Sequence, residues 1–199
     1  MKIFIFPFIL LLFAWNSLAA LPPQFSECFV ENSSTNLSVA DLKDIARVSK
    51  VTYCQNQVGL VGKPETLDLL RSPNIQVGIS VSRTSYTATD FVDLARAGSY
   101  VLYVDGNRLP LADLITIANA GAQLVVVSAS SGLSKADLLA LAAAKPFILN
   151  VNSLLTRIDL RDYVTAGIQV VIRASQSGLS RADIMEAAQA NANMVTLMP

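Results

Sequence analysis

The chain has 199 residues, 52% of them hydrophobic, with 15 basic and 15 acidic side chains, no histidine and two cysteines. Such a balance excludes the electrostatic footprint of a nucleic-acid binder, and no local cluster of Lys and Arg supplies one. The lack of histidine removes the commonest general base and metal ligand, and no grouping of Cys has zinc-site spacing. No catalytic residue, metal or other cofactor is therefore expected.

At the start, Lys2 precedes the apolar run Ile3 to Trp15, and "NSLAA" follows with small residues that suit a cut after Ala19. This is the layout of a secretory signal peptide over 1–19. The apolar run is shorter than the roughly 20 residues that a membrane-spanning helix needs. Residues 20–199 are then expected to form a single domain, exported to a periplasm or secreted, with no stable membrane span. Cys28 and Cys54 permit one disulfide in an exported chain.

A Ser or Thr followed three residues later by Asp recurs at Ser38/Asp41, Thr87/Asp90, Ser134/Asp137, Thr156/Asp159 and Ser180/Asp183. The spacing is that of a helix capping box, with Asp in place of the usual Glu. Two further units fit with weaker caps, Lys63/Thr66 and Pro110/Asp113. The residue after each third position is apolar (Leu42, Leu67, Phe91, Leu114, Leu138, Leu160, Ile184), and another such position follows three residues on, which makes a helical stripe. Gly98, Gly121, Gly167, Asn74 and Asn191 stand where a left-handed helix stop is expected.

After each stop comes a short β-type run: "VTYC" from Val51, "VGISV" from Val77, "VLYVD" from Val101, "LVVVS" from Leu124, "FILNV" from Phe147, "VVIRA" from Val170 and "MVTLM" from Met194, with a weaker "CFV" at 28–30. "SGLSKAD" at 131 returns as "SGLSRAD" at 177, two units of about 23 residues later. Helices of this length do not persist alone in water, so they must pack on the strands. A helix between successive strands makes those strands parallel.

The fold class expected is therefore α/β: tandem βα repeats forming one parallel sheet with helices on one face. The first and third strand positions, Val77/Ile79, Val101/Tyr103, Leu124/Val126, Phe147/Leu149, Val170/Ile172 and Met194/Thr196, are assigned to the helix side. This leaves Leu102, Val125, Ile148, Val171 and Val195 as an apolar stripe on the other.

A period of 20–29 residues with one strand and one helix per repeat resembles leucine-rich-repeat proteins, over nearly the whole chain but in period and layout only. The pattern "LxxLxLxxN" is absent. The resemblance implies an open, curved solenoid, which is favoured here; a closed (βα)8 barrel is the alternative.

Polar residues collect at strand ends: Ser80, Asp105, Ser128, Asn150, Asn152 and Arg173. These are the candidate binding residues, on the carboxyl edge or on the helix-free face. The repeated aspartates are read as helix caps and not as catalytic pairs. The functional expectation is an exported, non-catalytic scaffold that binds a protein partner on its sheet face or strand-end edge, such as an accessory subunit of a bacterial envelope or secretion assembly. The alternative is a small barrel hydrolase using carboxylates such as Asp105 with Arg173.

Overall fold

The computed structural model describes residues 37–55 and 61–198. The signal peptide, Cys28 and the weak strand at 28–30 lie outside the described residues. Along the chain come α1 (Val39–Ala46), β1 (Val51–Gln55), α2 (Lys63–Leu70), β2 (Ile75–Ser80), α3 (Ala88–Ala97), β3 (Val101–Val104), α4 (Leu111–Ala120) and β4 (Gln123–Val127). Then follow α5 (Lys135–Ala144), β5 (Ile148–Val151), α6 (Arg157–Thr165), β6 (Gln169–Arg173), the single turn α7 (Ala174–Ser177), α8 (Arg181–Ala190) and β7 (Val195–Met198). The seven strands form one sheet in the order β1 to β7, every neighbouring pair parallel. Among the described residues β1 and β7 do not pair with each other. No described helix is long and apolar enough to cross a membrane.

The caps start the helices where the sequence places them. Ser38, Thr87, Ser134 and Ser180 each accept from the backbone N–H of an Asp three residues on, and that Asp accepts in return from the cap's own N–H. Asp is short for this role, and a second bond compensates: each cap hydroxyl donates to the same carboxylate oxygen at 2.6–2.7 Å. Thr156 accepts from the Asp159 N–H and donates to its carboxylate. For α2 the cap is Gly62 and not Lys63, which is the first helical residue; Pro110 caps α4 without a side-chain bond.

Lys63 instead reaches the next helix, donating to Asp90 at 2.7 Å and Asp93 at 2.8 Å, and Lys135 does the same to Asp159 at 2.7 Å and Asp162 at 2.6 Å. Lys63 and the Thr87 cap hold the Asp90 carboxyl down to about 2.

The helix stops follow two rules. Gly121, Gly167 and Asn74 take positive φ, as a left-handed stop requires. Gly98 and Asn191 do not: both are extended, at φ −179 and −160. At Gly98 glycine is needed for space, because a Cβ there would sit 2.6 Å from the Leu70 carbonyl oxygen.

Helix residues Leu42, Leu69, Phe91, Leu94, Leu114, Ile117, Leu138, Leu141 and Leu160 join strand residues Val77, Ile79, Leu102, Val104, Leu124, Val126, Leu149, Val170 and Ile172 in one core. β3 thus sits one residue out of the expected alternation. Leu102 and Val104 face the helices, in register with Leu124 and Val126, while Val101 and Tyr103 face away. The same correction applies to β7, where Val195 pairs with Val170 on the helix side. The stripe on the helix-free face is therefore Val101, Tyr103, Val125, Ile148 and Val171, without Leu102 or Val195. A one-residue shift exchanges the faces of a strand, and a strand buried on both sides carries no polar alternation to reveal it.

The βα loops also pack on one another. The repeated "SGLS" builds the same turn twice, with Gly132 at φ +72 and Gly178 at φ +67. Ser131 and Ser177, both buried, each accept from the N–H two residues on. A Cβ on Gly132 would meet Asn107 Cβ at 2.8 Å, and one on Gly178 would meet Leu154 Cδ2 at 2.6 Å. Each glycine lets its loop lie on a loop of a preceding unit.

Candidate functional site

Polar groups gather at the carboxyl ends of β2 to β6, since parallel strands deliver every βα loop to the same edge. Two knots form there. In the first, Asp105, just past β3, accepts from Ser80 Oγ at 2.6 Å, from Ser82 Oγ at 2.9 Å and from the Ser82 N–H at 2.8 Å. Beside it, Arg108 donates to the carbonyls of Val81 and Thr84. In the second, Asn152 Oδ1, just past β5, accepts from the Ala129 N–H at 3.1 Å and from Ser128 Oγ at 3.3 Å, and Ser128 Oγ lies 2.8 Å from Ser153 Oγ. In both, a polar side chain after one strand ties down the loop that follows the strand before it.

Of the six candidate residues, the structure brings together Ser80 with Asp105 and Ser128 with Asn152, and spends these four on loop fastening. Asp105 and Arg173 stand on β3 and β6, three strand spacings or about 14 Å apart, so they do not form a carboxylate–arginine pair.

Asn150 and Arg173 belong to neither knot. The Asn150 backbone carbonyl accepts from the Ser128 N–H at 3.0 Å. Its side chain is 7% exposed, and Oδ1 is buried with no hydrogen-bond partner. Buried carbonyl oxygens are nearly always satisfied, and leaving one bare costs about 1–3 kcal/mol. Asn150 pairs in register with Val171, and Arg173 lies two residues further along β6 on the same face, about 8 Å away by strand geometry. The half-buried Arg173 has no ion pair among the described residues.

The sequence also gave no sign of a buried knot at the start of the sheet. Thr66 Oγ1 donates to Gln55 Oε1 at 2.9 Å, and Gln55 Nε2 donates to the Val61 carbonyl at 2.7 Å and to Tyr86 Oη at 3.0 Å. Its parts are scattered over 31 residues, and only the β1–α2–β2 packing assembles them. Every group in it is satisfied, so it serves the fold. Among the described residues, no group of three or more carboxylates or cysteines is placed to hold a metal ion. Cys54 is disulfide-bonded, and Cys28, the expected partner, lies outside the described residues.

No family profile matches the chain, and no curated protein matches it. Solved structures do match. One is a mandelate oxidase variant with the monooxide FMN adduct, at 16% identity and a TM-score of 0.40, covering 75% of this chain and 62% of that one. Another is a mandelate oxidase variant with (S)-mandelic acid, at 14% identity and a TM-score of 0.38, covering 88% and 80%. The chain thus spans about three fifths of the first of these.

The expectation of a non-catalytic scaffold that docks a protein partner on the helix-free face is corrected at this point. The apolar stripe meant to dock a partner is closed over β3 and β4. Val101, Tyr103 and Val125 are only 2–3% exposed.

Proposed function

We propose that the chain is a small-molecule protein of enzyme type, with its ligand seated on the helix-free side of β5 and β6 near their carboxyl ends. The observation that carries this reading is the bare, buried Asn150 Oδ1 beside Arg173. Oδ1 takes a hydrogen bond from a hydroxyl or amine of the ligand, and Arg173 holds an acidic group, since its planar fork suits a carboxylate or phosphate. The chemistry recognised is a small hydroxy- or amino-acid, or a phosphate ester with a free hydroxyl. In open parallel sheets, ligands sit outside the carboxyl ends of the strands. The buried polar atom and nearby cation define a site of molecular size, not an extended docking face. The carboxylate role once assigned to Asp105 is not part of this reading, because three donors already occupy it.

Thermal-shift titration with lactate, glycine and glycerol phosphate tests the idea. A ligand that binds the folded state raises the melting temperature by mass action. At least one of the three is expected to do so, with the rise abolished in Arg173→Ala and its affinity lowered about tenfold in Asn150→Leu. A rise that survives in both variants, or none with any compound, sinks the proposal. Turnover of the binding compound then decides between enzyme and carrier.

A further inference from the structure

The helices carry a charge rule that runs along the chain. Acids stand at the third and sixth positions after the cap in α2 (Glu65, Asp68), α3 (Asp90, Asp93), α6 (Asp159, Asp162) and α8 (Asp183, Glu186). Each pair is met by a cation from the helix before it. Lys63 of α2 holds both acids of α3, and Lys135 of α5 holds both acids of α6. Arg157 of α6 lies 3.3 Å from Glu186. These three cations are the first residues after their caps. In α1 that place is taken by Val39, and Lys43, one turn further on, reaches Asp68 at 2.9 Å. Where the first residue is Ala88 in α3 or Leu111 in α4, the next helix has no acid at its sixth position, which is Thr116 or Ala140.

The two ends of the series carry the two halves of this clamp. Arg181 is the first residue of α8; it is exposed and has no ion pair among the described residues, and no described helix follows. Asp41 and Asp44 hold the acid positions of α1, which no described helix precedes. Asp41 is bonded by its own Ser38 cap, and Asp44 pairs with the exposed Arg47 of the same helix at 3.0 Å. Apolar residues beside them are bare as well. Met185, one turn along from Arg181, is 45% exposed, whereas its counterparts Leu67, Val92, Ile115 and Leu139 are half-buried. Ile45, one turn along from Asp41, is 41% exposed, whereas its counterparts Leu69, Leu94, Ile117 and Leu141 are buried. Among the described residues β1 and β7 each pair on one side only, and an edge strand is a template for another.

We propose that a second copy of this chain docks head to tail at these ends, with Arg181 of one copy on Asp41 and Asp44 of the next and β7 paired in parallel with β1. The order of elements fits. Because α1 precedes β1, it falls where the helix after β7 is needed, and the repeat continues across the contact without a break. Such a contact joins two different surfaces, so it builds a ring or a filament and not a two-fold dimer.

Sedimentation velocity of the full chain at micromolar concentrations is the first test: multimers are expected, and a monomer throughout overturns the proposal. Arg181→Glu and Asp44→Lys are each expected to weaken assembly at least about tenfold, since like charges then face each other. Both positions are exposed and Asp41 keeps its cap, so each variant should retain the wild-type circular dichroism. An equimolar mixture of the two should assemble again, because each variant supplies the charge that the other now needs. Assembly undiminished in the single variants, or not restored in the mixture, overturns the contact. Arg181→Lys keeps the charge and allows a carbodiimide to link position 181 to a carboxylate. With isotope-labelled and unlabelled copies mixed before concentration, a link from position 181 to Asp41 or Asp44 should join labelled to unlabelled peptides. A link confined to peptides of one kind would mean that the chain closes on itself, and the second copy is then not the occupant.

Discussion

The two halves of the helix-free face are built from the same repeat yet end differently. Over β2–β4 the outward residues are Val101, Tyr103 and Val125, buried as deeply as the main core. Over β5–β7 they are Ile148, Asn150, Val171, Arg173 and Thr196, and exposure grows toward the edge. The first half is apolar and closed; the second holds an unsatisfied amide and an arginine. A repeat therefore fixes the helix side of every unit, while the opposite side is free to diverge into a closed apolar half and a more open half that carries polar groups.

The largest effect expected from that contrast is at Tyr103. Tyr103→Ala empties a fully buried aromatic site and should cost about 3–5 kcal/mol by urea denaturation. A like-for-like pair sharpens the point: Val101→Ala should cost about 2 kcal/mol, and Val171→Ala clearly less, since Val171 is half-buried. Equal costs would break the division between the halves.

The loop glycines come next. Gly132→Ala combines left-handed backbone strain with a 2.8 Å approach to Asn107 Cβ, which has no freedom to retreat, and should cost about 2 kcal/mol. Gly178→Ala meets only the free end of Leu154, a side chain 83% exposed, and should cost about 1 kcal/mol, essentially the backbone strain. The difference, measured by thermal melts, reports whether loops over the closed half are packed more firmly than those over the open half.

A smaller effect of opposite sign is expected at Asn150. Replacing a buried, unsatisfied amide with Leu removes a desolvation cost, so Asn150→Leu should stabilise the unliganded protein by about 1 kcal/mol. Destabilisation would mean that the amide is part of the fold and would withdraw it from the site.

The smallest effect concerns acid. Asp90 is held at about 2 in the folded state, against an ordinary 3.8, first by Lys63 and then by its Thr87 cap. A depressed folded value contributes stability that is full above about pH 4 and is lost as pH falls toward 2. After allowance for solvent screening it amounts to about 1 kcal/mol. In Lys63→Met the Asp90 titration followed by NMR should move back toward 3.8, and the acid limb of the stability profile should become shallower.

Much of this architecture was legible in the residues. The Ser/Thr–Asp spacing marks helix starts because capping depends on atoms three residues apart. The parallel order follows from a helix between every two strands. The strand faces of β3 and β7 were not legible. "VLYV" is apolar at every position, so nothing in it says which side chains meet the helices; the register with β4 decides that. The six polar residues at strand ends were recognisable as a group, but their roles were not. Asp105 and Asn152 turn out to be fasteners because the preceding loop's N–H groups arrive beside them.

The sequence by itself determined the unit: its helix caps, its apolar stripe and its tandem succession, all of which depend on interactions within a few residues. Only the tertiary structure decided which side of each strand is interior, which polar groups find partners and which one, Asn150, is left without. Those outcomes depend on what neighbouring units bring to the same place, and residues 23 or more positions apart meet only once the sheet has formed.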